Sequence, residues 1–457
     1  MKHSKASIHS KAHKILIPQF EDQQLTSFAG LVIFQVLFKR IDLKNRLRRC
    51  FKHQRSRQFG FAHVVFVLIV HLLLGFRRLR DIEYYADDPI VKRVVGVDIL
   101  PSVSAMSRHL SEVDNDSVAQ LQRLNSGLVT DRLNTLQSAR VTLDFDGTVQ
   151  GTKSHAEGTA IGYNKKKKGS RSYYPLLCTV AQTAQVLDFH HRQGNVHDSN
   201  GANAFIESCI CRAKASCPRA MIESRTDSAF FNEDIIGLQE RLGVEFTISV
   251  PFARFVELKE RVEQRRRWFK LNDEISYFEC RWKAKKWDAP RRMIFIRTRV
   301  KKQNKGPVQL DMFEPHEYGY DFKAIVTNKT TGVKTVLAFH NGRGAQEAII
   351  ADLKTHCQQD YVPVKTLNGN KTYLLAGIIA HNLSKELQMD AFEQDRKTTN
   401  TRQPLWVFSK LETLRRNIIQ RAGRITQPQG KLKLTMSANE AVQRDISYYL
   451  DSERPAA

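Results

Sequence analysis

The sequence predicts a mixed α/β fold entered through an all-α N-terminal region, and three observations carry that reading. Residues 24–115 are helical in pattern. From about residue 139 the period changes to two, with acids at strand ends. A helical stretch, GRGAQEAIIADLK, then carries Arg343, Glu347 and Lys354 at offsets of four and seven. At about 100° per residue these three side chains fall within about 40° of one another around the axis, so an acid sits between two bases on one face.

In the helical region, LTSFAGLVIFQVLFKRI opens with Thr26 or Ser27 as a cap. The most apolar run, FAHVVFVLIVHLLLGF at 61–76, contains His63 and His71 and ends in Arg77 and Arg78. A bilayer span needs about 20 apolar residues, so this run predicts a buried core helix and no membrane partner. PSVSAMSRHLSEV at 101–113 reads as a helix entered through Pro101 and capped by Ser102 or Ser104. With Arg108 on it, it is either a groove-reading helix for DNA or a bundle helix with a solvated basic face.

Beyond 139, Val141, Leu143 and Phe145 alternate with Thr142, Asp144 and Asp146, so both acids leave the same strand face. YYPLLCTVAQ and QVLDFHHRQ predict an antiparallel pair, a helix follows near 199–215, and the strand RAMIESRTD ends in Asp227. A helix near 230–242 and the strand VEFTISV come next. Between Asp227 and Glu347 lie 119 residues, more than one strand and one helix require. Much of that interval, 251–330, is basic and holds Trp268, Trp282 and Trp287, which predicts an inserted β-rich subdomain. Its aromatics are either hydrophobic anchors or stacking surfaces for an unpaired base, with Trp268 and Trp287 the candidates for stacking. FKAIVTN and KTVLAFH read as a strand pair leading to the acidic helix. A long helix at 370–388, a helical PLWVFSKLETLRRNIIQRAG with Trp406 in its core face, and a hairpin around QPQGKLKLTMS complete the chain. The expected segments are thus 1–135, 136–250, 251–330, 331–400 and 401–457. The run Lys165 to Lys168, which includes Lys166, is a solvated hairpin tip or a DNA-backbone contact.

There are 72 Lys plus Arg against 47 Asp plus Glu, a net charge of +25. Such a chain is drawn to phosphate polymers before any specific contact forms, although a membrane surface or a ribosome would attract it too. The seven cysteines are odd in number and scattered, which argues against a disulfide framework and for a reducing cytoplasm. Cys209, Cys211 and Cys217 lack C-x2-C spacing and read as structural thiols. Residues 1–14 do not form a signal peptide. Three separated carboxylates, Asp146, Asp227 and Glu347, are what two-metal phosphoryl transfer requires. The motif LDFDGTV also matches the nucleophile loop of haloacid-dehalogenase-type phosphatases, with Asp144 attacking phosphorus and Asp146 as general acid. That reading expects the motif near the start of a compact domain and an acidic pair downstream, where this chain offers only RTDSAFF. A DNA-binding protein with structural or decayed acids is the third alternative.

The segments LTSFAGLVIF, LLLGFRRLRDIEYYADDP, LPSVSAMSRHL, LDFDGTV, EGTAIGYNKKKKG, RQGNVHDSNGA, RTDSAFF and LETLRRNIIQRAGRI together resemble a DDE transposase of a bacterial insertion sequence. The class is the one with a Tyr-x2-Arg-x3-Glu-x6-Lys signature, which here reads His340, Arg343, Glu347, Lys354 with His in place of Tyr. The resemblance implies a ribonuclease-H-like core interrupted by an inserted β-rich domain and followed by a helical C-terminal region. It implies that Asp146, Asp227 and Glu347 hold two Mg²⁺ (or Mn²⁺) ions and that His340, Arg343 and Lys354 contact DNA. It further implies double-stranded DNA partners (terminal inverted repeats and target), a homodimer pairing two ends, and a cytoplasmic, nucleoid-associated protein.

Overall fold

The computed structural model describes residues 15, 17–21, 23–54, 59–162, 167–197, 199–300 and 319–452. Its N-terminal part runs through strand β1 (Leu25–Thr26) and helices α1 (Val32–Arg40), α2 (Leu43–Cys50), α3 (Phe61–Leu74), α4 (Pro89–Val95), α5 (Val103–Glu112) and α6 (Asn115–Leu136). The starts of α4, α5 and α6 follow side-chain acceptors. Asp88 caps α4 ahead of Pro89, Ser102 Oγ caps α5, and Asp114 caps α6. Thr26 is not the cap of the first helix: its hydroxyl donates to Asp88 at 2.8 Å, and α1 begins only after a tight turn at Ala29–Leu31. Helix α3 is apolar all round and almost wholly buried, ending at Gly75 with φ 96°. Among the described residues no single helix is long and apolar enough to cross a membrane, and only α3 taken with the turn Leu79–Tyr85, bent by 77°, matches one in composition.

Strand β2 (Arg140–Gly147) opens the sheet, and β3 (Gln150–Thr152), β4 (Ala160–Ile161) and β5 (Arg171–Tyr173) make a small antiparallel sheet beside it. The main sheet continues with β6 (Leu176–Val180) and β7 (Gln185–His190), then α7 (Ala202–Ser216), β8 (Met221–Thr226), α8 (Glu233–Arg241) and β9 (Glu245–Val250). After α9 (Val256–Glu263) come β10 (Phe269–Lys270), β11 (Ile275–Trp282), β12 (Arg291–Arg299) and β13 (Tyr320–Thr327). All nine strands form one sheet in the order β10-β11-β12-β13-β9-β8-β2-β6-β7, with β2–β8 and β8–β9 parallel. The strands of the basic, tryptophan-bearing segment therefore extend the central sheet from β9 outward. Trp282 and Trp287 pack 5.6 Å apart in the core beneath them, with Trp282 Nε1 donating to Glu257.

KTVLAFH is not a strand. It lies in α10 (Val333–Asn341), because Val333, Val336, Leu337 and His340 recur at helical spacing and bury one side, against Ile294, Ile296 and Ile325 of β12 and β13. Then follow α11 (Gly344–His356) and α12 (Leu367–Ala391), the latter packing on α3, α5 and α6 in one continuous core. The helix expected through PLWVFSKLETLRRNIIQRAG is confined to α13 (Leu411–Leu414) and a wide turn at Arg415–Ile419. Here Arg415 is buried and donates to the carbonyls of Leu72, Leu73 and His356, which are the open end of α3 and the end of α11. Trp406 is buried but stands at a bend outside any helix. Strands β14 (Gly423–Thr426) and β15 (Lys433–Met436) form the expected hairpin, β1 adds a third strand, and α14 (Glu440–Ser452) follows. No disulfide joins the seven cysteines.

Candidate active site

Parallel pairing of β2 with β8 sets the site. Asp144 stands opposite Arg225 in register. Two residues further on, where alternation returns to the same face, Asp146 and Asp227 reach the carboxyl ends of these neighbouring strands. Ligand sites of open α/β sheets lie at such ends. The Asp227 carboxylate accepts from Ala229 N at 2.9 Å, which fixes its backbone turn. Helix α11 arrives from above: Gln346 Nε2 donates to the Asp144 carbonyl at 2.8 Å, placing the neighbouring Glu347 in the first helical turn over β2. Arg343 lies between the acids, with Nη1 at 3.2 Å from Asp146 Oδ2 and Nη2 at 3.7 Å from Glu347 Oε1. The Asp146 side chain is 20% exposed and that of Glu347 68%.

These oxygens suit a hard divalent cation, and a guanidinium already bridges two of the acids, so the position favours positive charge. Among the described residues no three His, Cys, Asp or Glu side chains converge closely enough to hold a metal as they stand. The fit is thus of ligand chemistry and placement, with Asp146 and Glu347 joined through Arg343. Lys354 is half-buried in the last turn of α11, seven residues and about 10 Å of helix beyond Glu347.

Asp144 has a different part. It is 1% exposed, and both its oxygens are held by Arg225, Oδ1 by Nε at 2.6 Å and Oδ2 by Nη2 at 2.7 Å. A carboxylate buried and chelated in this way cannot attack phosphorus, which removes the phosphatase reading. His340 is also corrected: it is 2% exposed, with Nε2 at 2.9 Å from Ser249 Oγ and Nδ1 at 3.0 Å from Thr247 Oγ1. Burial, reinforced by Lys323, Arg343 and Arg225, holds its pKa well below the usual histidine value. It joins α10 to β9 as a neutral ring and presents nothing to DNA. Trp287 is 8% exposed, packed against Phe231 and Trp282 with Arg291 over its ring, so its face is not open for stacking. Trp268 is half-buried, edge-on to Phe278, with the Arg297 guanidinium 4.6 Å from its ring centre. Arg108 is exposed on α5. Lys165 and Lys166 lie outside the described residues.

The sequence reading missed two features. One is Arg225, although its place two residues before Asp227 puts it on the acid's own face. The other is a cavity of about 460 Å³ lined by His190, His191, Arg192, Asn200, Gly201 and Leu367 among others. It lies along the same rim, since Asp146 pairs with Leu177 and Leu177 with Phe189. Burial, Lys371 and His190 push the His191 pKa down to about 3.

The sequence model of a family described as transposase DDE domain group 1 matches residues 9–452. The chain belongs to the DDE transposases. No curated protein sequence matches the transposase. Among solved structures it is similar to the cryo-EM structure of piggyBac transposase in a synaptic complex with hairpin DNA, at 10% identity and a TM-score of 0.45, over 86% of this chain and 79% of that one. It is also similar to the Mos1 transposase paired-end complex with left transposon end, at 9% identity and a TM-score of 0.19, over 42% of this chain and 59% of that one.

Proposed function

We propose that this transposase binds the ends of a mobile DNA element, cleaves phosphodiester bonds there and joins the freed 3′-hydroxyls to target DNA, with Asp146, Asp227 and Glu347 as the acids that hold the metal. The observation that carries this is the shared rim: two acids at the ends of adjacent parallel strands and a third on the helix docked over them. Mg²⁺ or Mn²⁺, two ions when the site is filled, would supply activation of the attacking oxygen and charge stabilisation at the leaving one. Asp146 takes the central place, because it stands at the end of β2, two residues beyond the pairing of Asp144 with Arg225 on β8, and contacts Arg343. Arg343, released from the two carboxylates, neutralises a phosphate beside the cut, and Lys354 takes one further along α11. Arg108, Lys165, Lys166 and the half-buried Trp268 are the proposed outer DNA contacts. A homodimer that brings two ends together, and a cytoplasmic, nucleoid-associated setting, complete the proposal.

The test is cleavage of end DNA by single-residue variants. Asp146→Asn, Asp227→Asn and Glu347→Gln should each lose more than the roughly 10–100-fold that even outer ligand-sphere changes cost, while gel-shift affinity for the same DNA stays near wild type. Full cleavage by Glu347→Gln would remove that residue from the site. A wild-type protein that binds ends but never cuts them would make the chain a DNA-binding relative.

A further inference from the structure

Every acid-bearing element is fastened to one buried ion pair just upstream of its acid. Asp144 and Arg225 sit in register on β2 and β8, two residues before Asp146 and Asp227. The Asp144 carbonyl holds Gln346, the residue before Glu347. The third nitrogen of the guanidinium, Nη1, donates to Phe339 O at 3.1 Å, near the end of α10, and to Thr401 O at 2.7 Å, in the segment that follows α12. The corner between α10 and α11 presses on the same group: a Cβ at Gly342 would overlap both Thr401 O and Arg225 Nη1. Arg343 comes one residue later.

We infer that Arg225 and Asp144 are positioning residues for the catalytic acids: their ion pair, with Gln346, sets the spacing of β2, β8 and the start of α11, and so the spacing of Asp146, Asp227 and Glu347. The inference rests on the metal-holding role proposed above for those three acids. The geometry has a reason in hydrogen-bond capacity. A planar guanidinium offers five N–H groups in a fixed fork, so one side chain can chelate a carboxylate and still reach two carbonyls from separate segments. Lysine keeps the charge but cannot do both. Neither residue is exposed to substrate, so the pair acts only through the acids it places.

The experiment measures Mn²⁺ binding by electron paramagnetic resonance, without DNA, alongside the kcat and KM for cleavage of end DNA. Arg225→Lys should raise the half-saturating Mn²⁺ concentration by about tenfold, as outer-sphere ligand-orienting changes do, and lower kcat with KM for DNA unchanged. Gln346→Met, nearly isosteric, should shift Mn²⁺ binding in the same direction by a smaller factor, and it carries the test if Arg225→Lys does not fold. Glu347→Gln is the control. If Glu347→Gln weakens Mn²⁺ binding while folded Arg225→Lys and Gln346→Met match wild type in Mn²⁺ binding and kcat, the positioning role is overturned and the metal role stands. If Glu347→Gln leaves Mn²⁺ binding unchanged, both are overturned.

Discussion

His340 and Asp144 show how far a side chain's surroundings decide its work. At the position where the family signature has tyrosine, His340 holds two hydroxyls on β9 and is buried. His340→Ala should therefore cost about 1–3 kcal/mol in chemical denaturation by stranding buried hydroxyls, while the salt dependence of DNA binding keeps its slope. A reduced slope would place the ring on a phosphate after all. Asp144→Asn is the sharper case. It leaves the fully buried Arg225 without its counter-charge, which costs about 3–5 kcal/mol. Equal denaturation midpoints for Asp144→Asn and wild type would contradict the ion pair.

At the scale of elements, the aromatics of the basic segment divide by burial. Trp287→Ala should lower stability by about 3–5 kcal/mol as a core cavity, measured by denaturant unfolding, and its DNA effects should follow from that loss. Trp268→Ala, half-exposed beside Arg297, should slow the step that follows the first nick by about 1–3 kcal/mol of lost base stacking. Normal rates at both steps would make Trp268 purely structural. The strands carrying the acids were legible because alternation and a terminal acid coincide in LDFD and ESRTD, and the Glu347 helix because its charges repeat at helical spacing. KTVLAFH was misread because Val, Leu and Phe in a short run satisfy strand and helix patterns alike, and the difference lies in the neighbouring strands it packs on. Continuity of β10–β13 with the central sheet was out of reach, since nothing local specifies which edge a strand joins. The Arg225 pair was half legible: the face was deducible from alternation, but its burial depends on α10, α11 and Thr401, far away in sequence.

Across the whole molecule, neutral buried histidines tie stability to pH. Burial lowers the pKa of His71 to about 4, with its Nδ1 2.7 Å from Tyr85 Oη, and depresses His340 and His191 as well. A histidine whose folded pKa is depressed binds its proton more readily in the unfolded chain. Its contribution is complete above the ordinary value of about 6.5 and is lost as pH falls from there toward 4. His71 alone accounts for about 3 kcal/mol over that window. The melting temperature should drop steadily between these limits, and His71→Gln should flatten the slope. A flat profile would mean that the ring titrates normally.

The guanidinium of Arg225 also has a consequence for how the chain is made. Its Thr401 partner lies 176 residues later, and at about 5–20 residues per second a ribosome takes roughly 9–35 s to supply it. During that interval β2 and β8 can pair, but the charge between them lacks its full set of acceptors. A nascent transposase is therefore cationic, and able to cling to nearby phosphate, well before it can cut. The full set of contacts around Arg225 thus comes after all three acids are already in the chain.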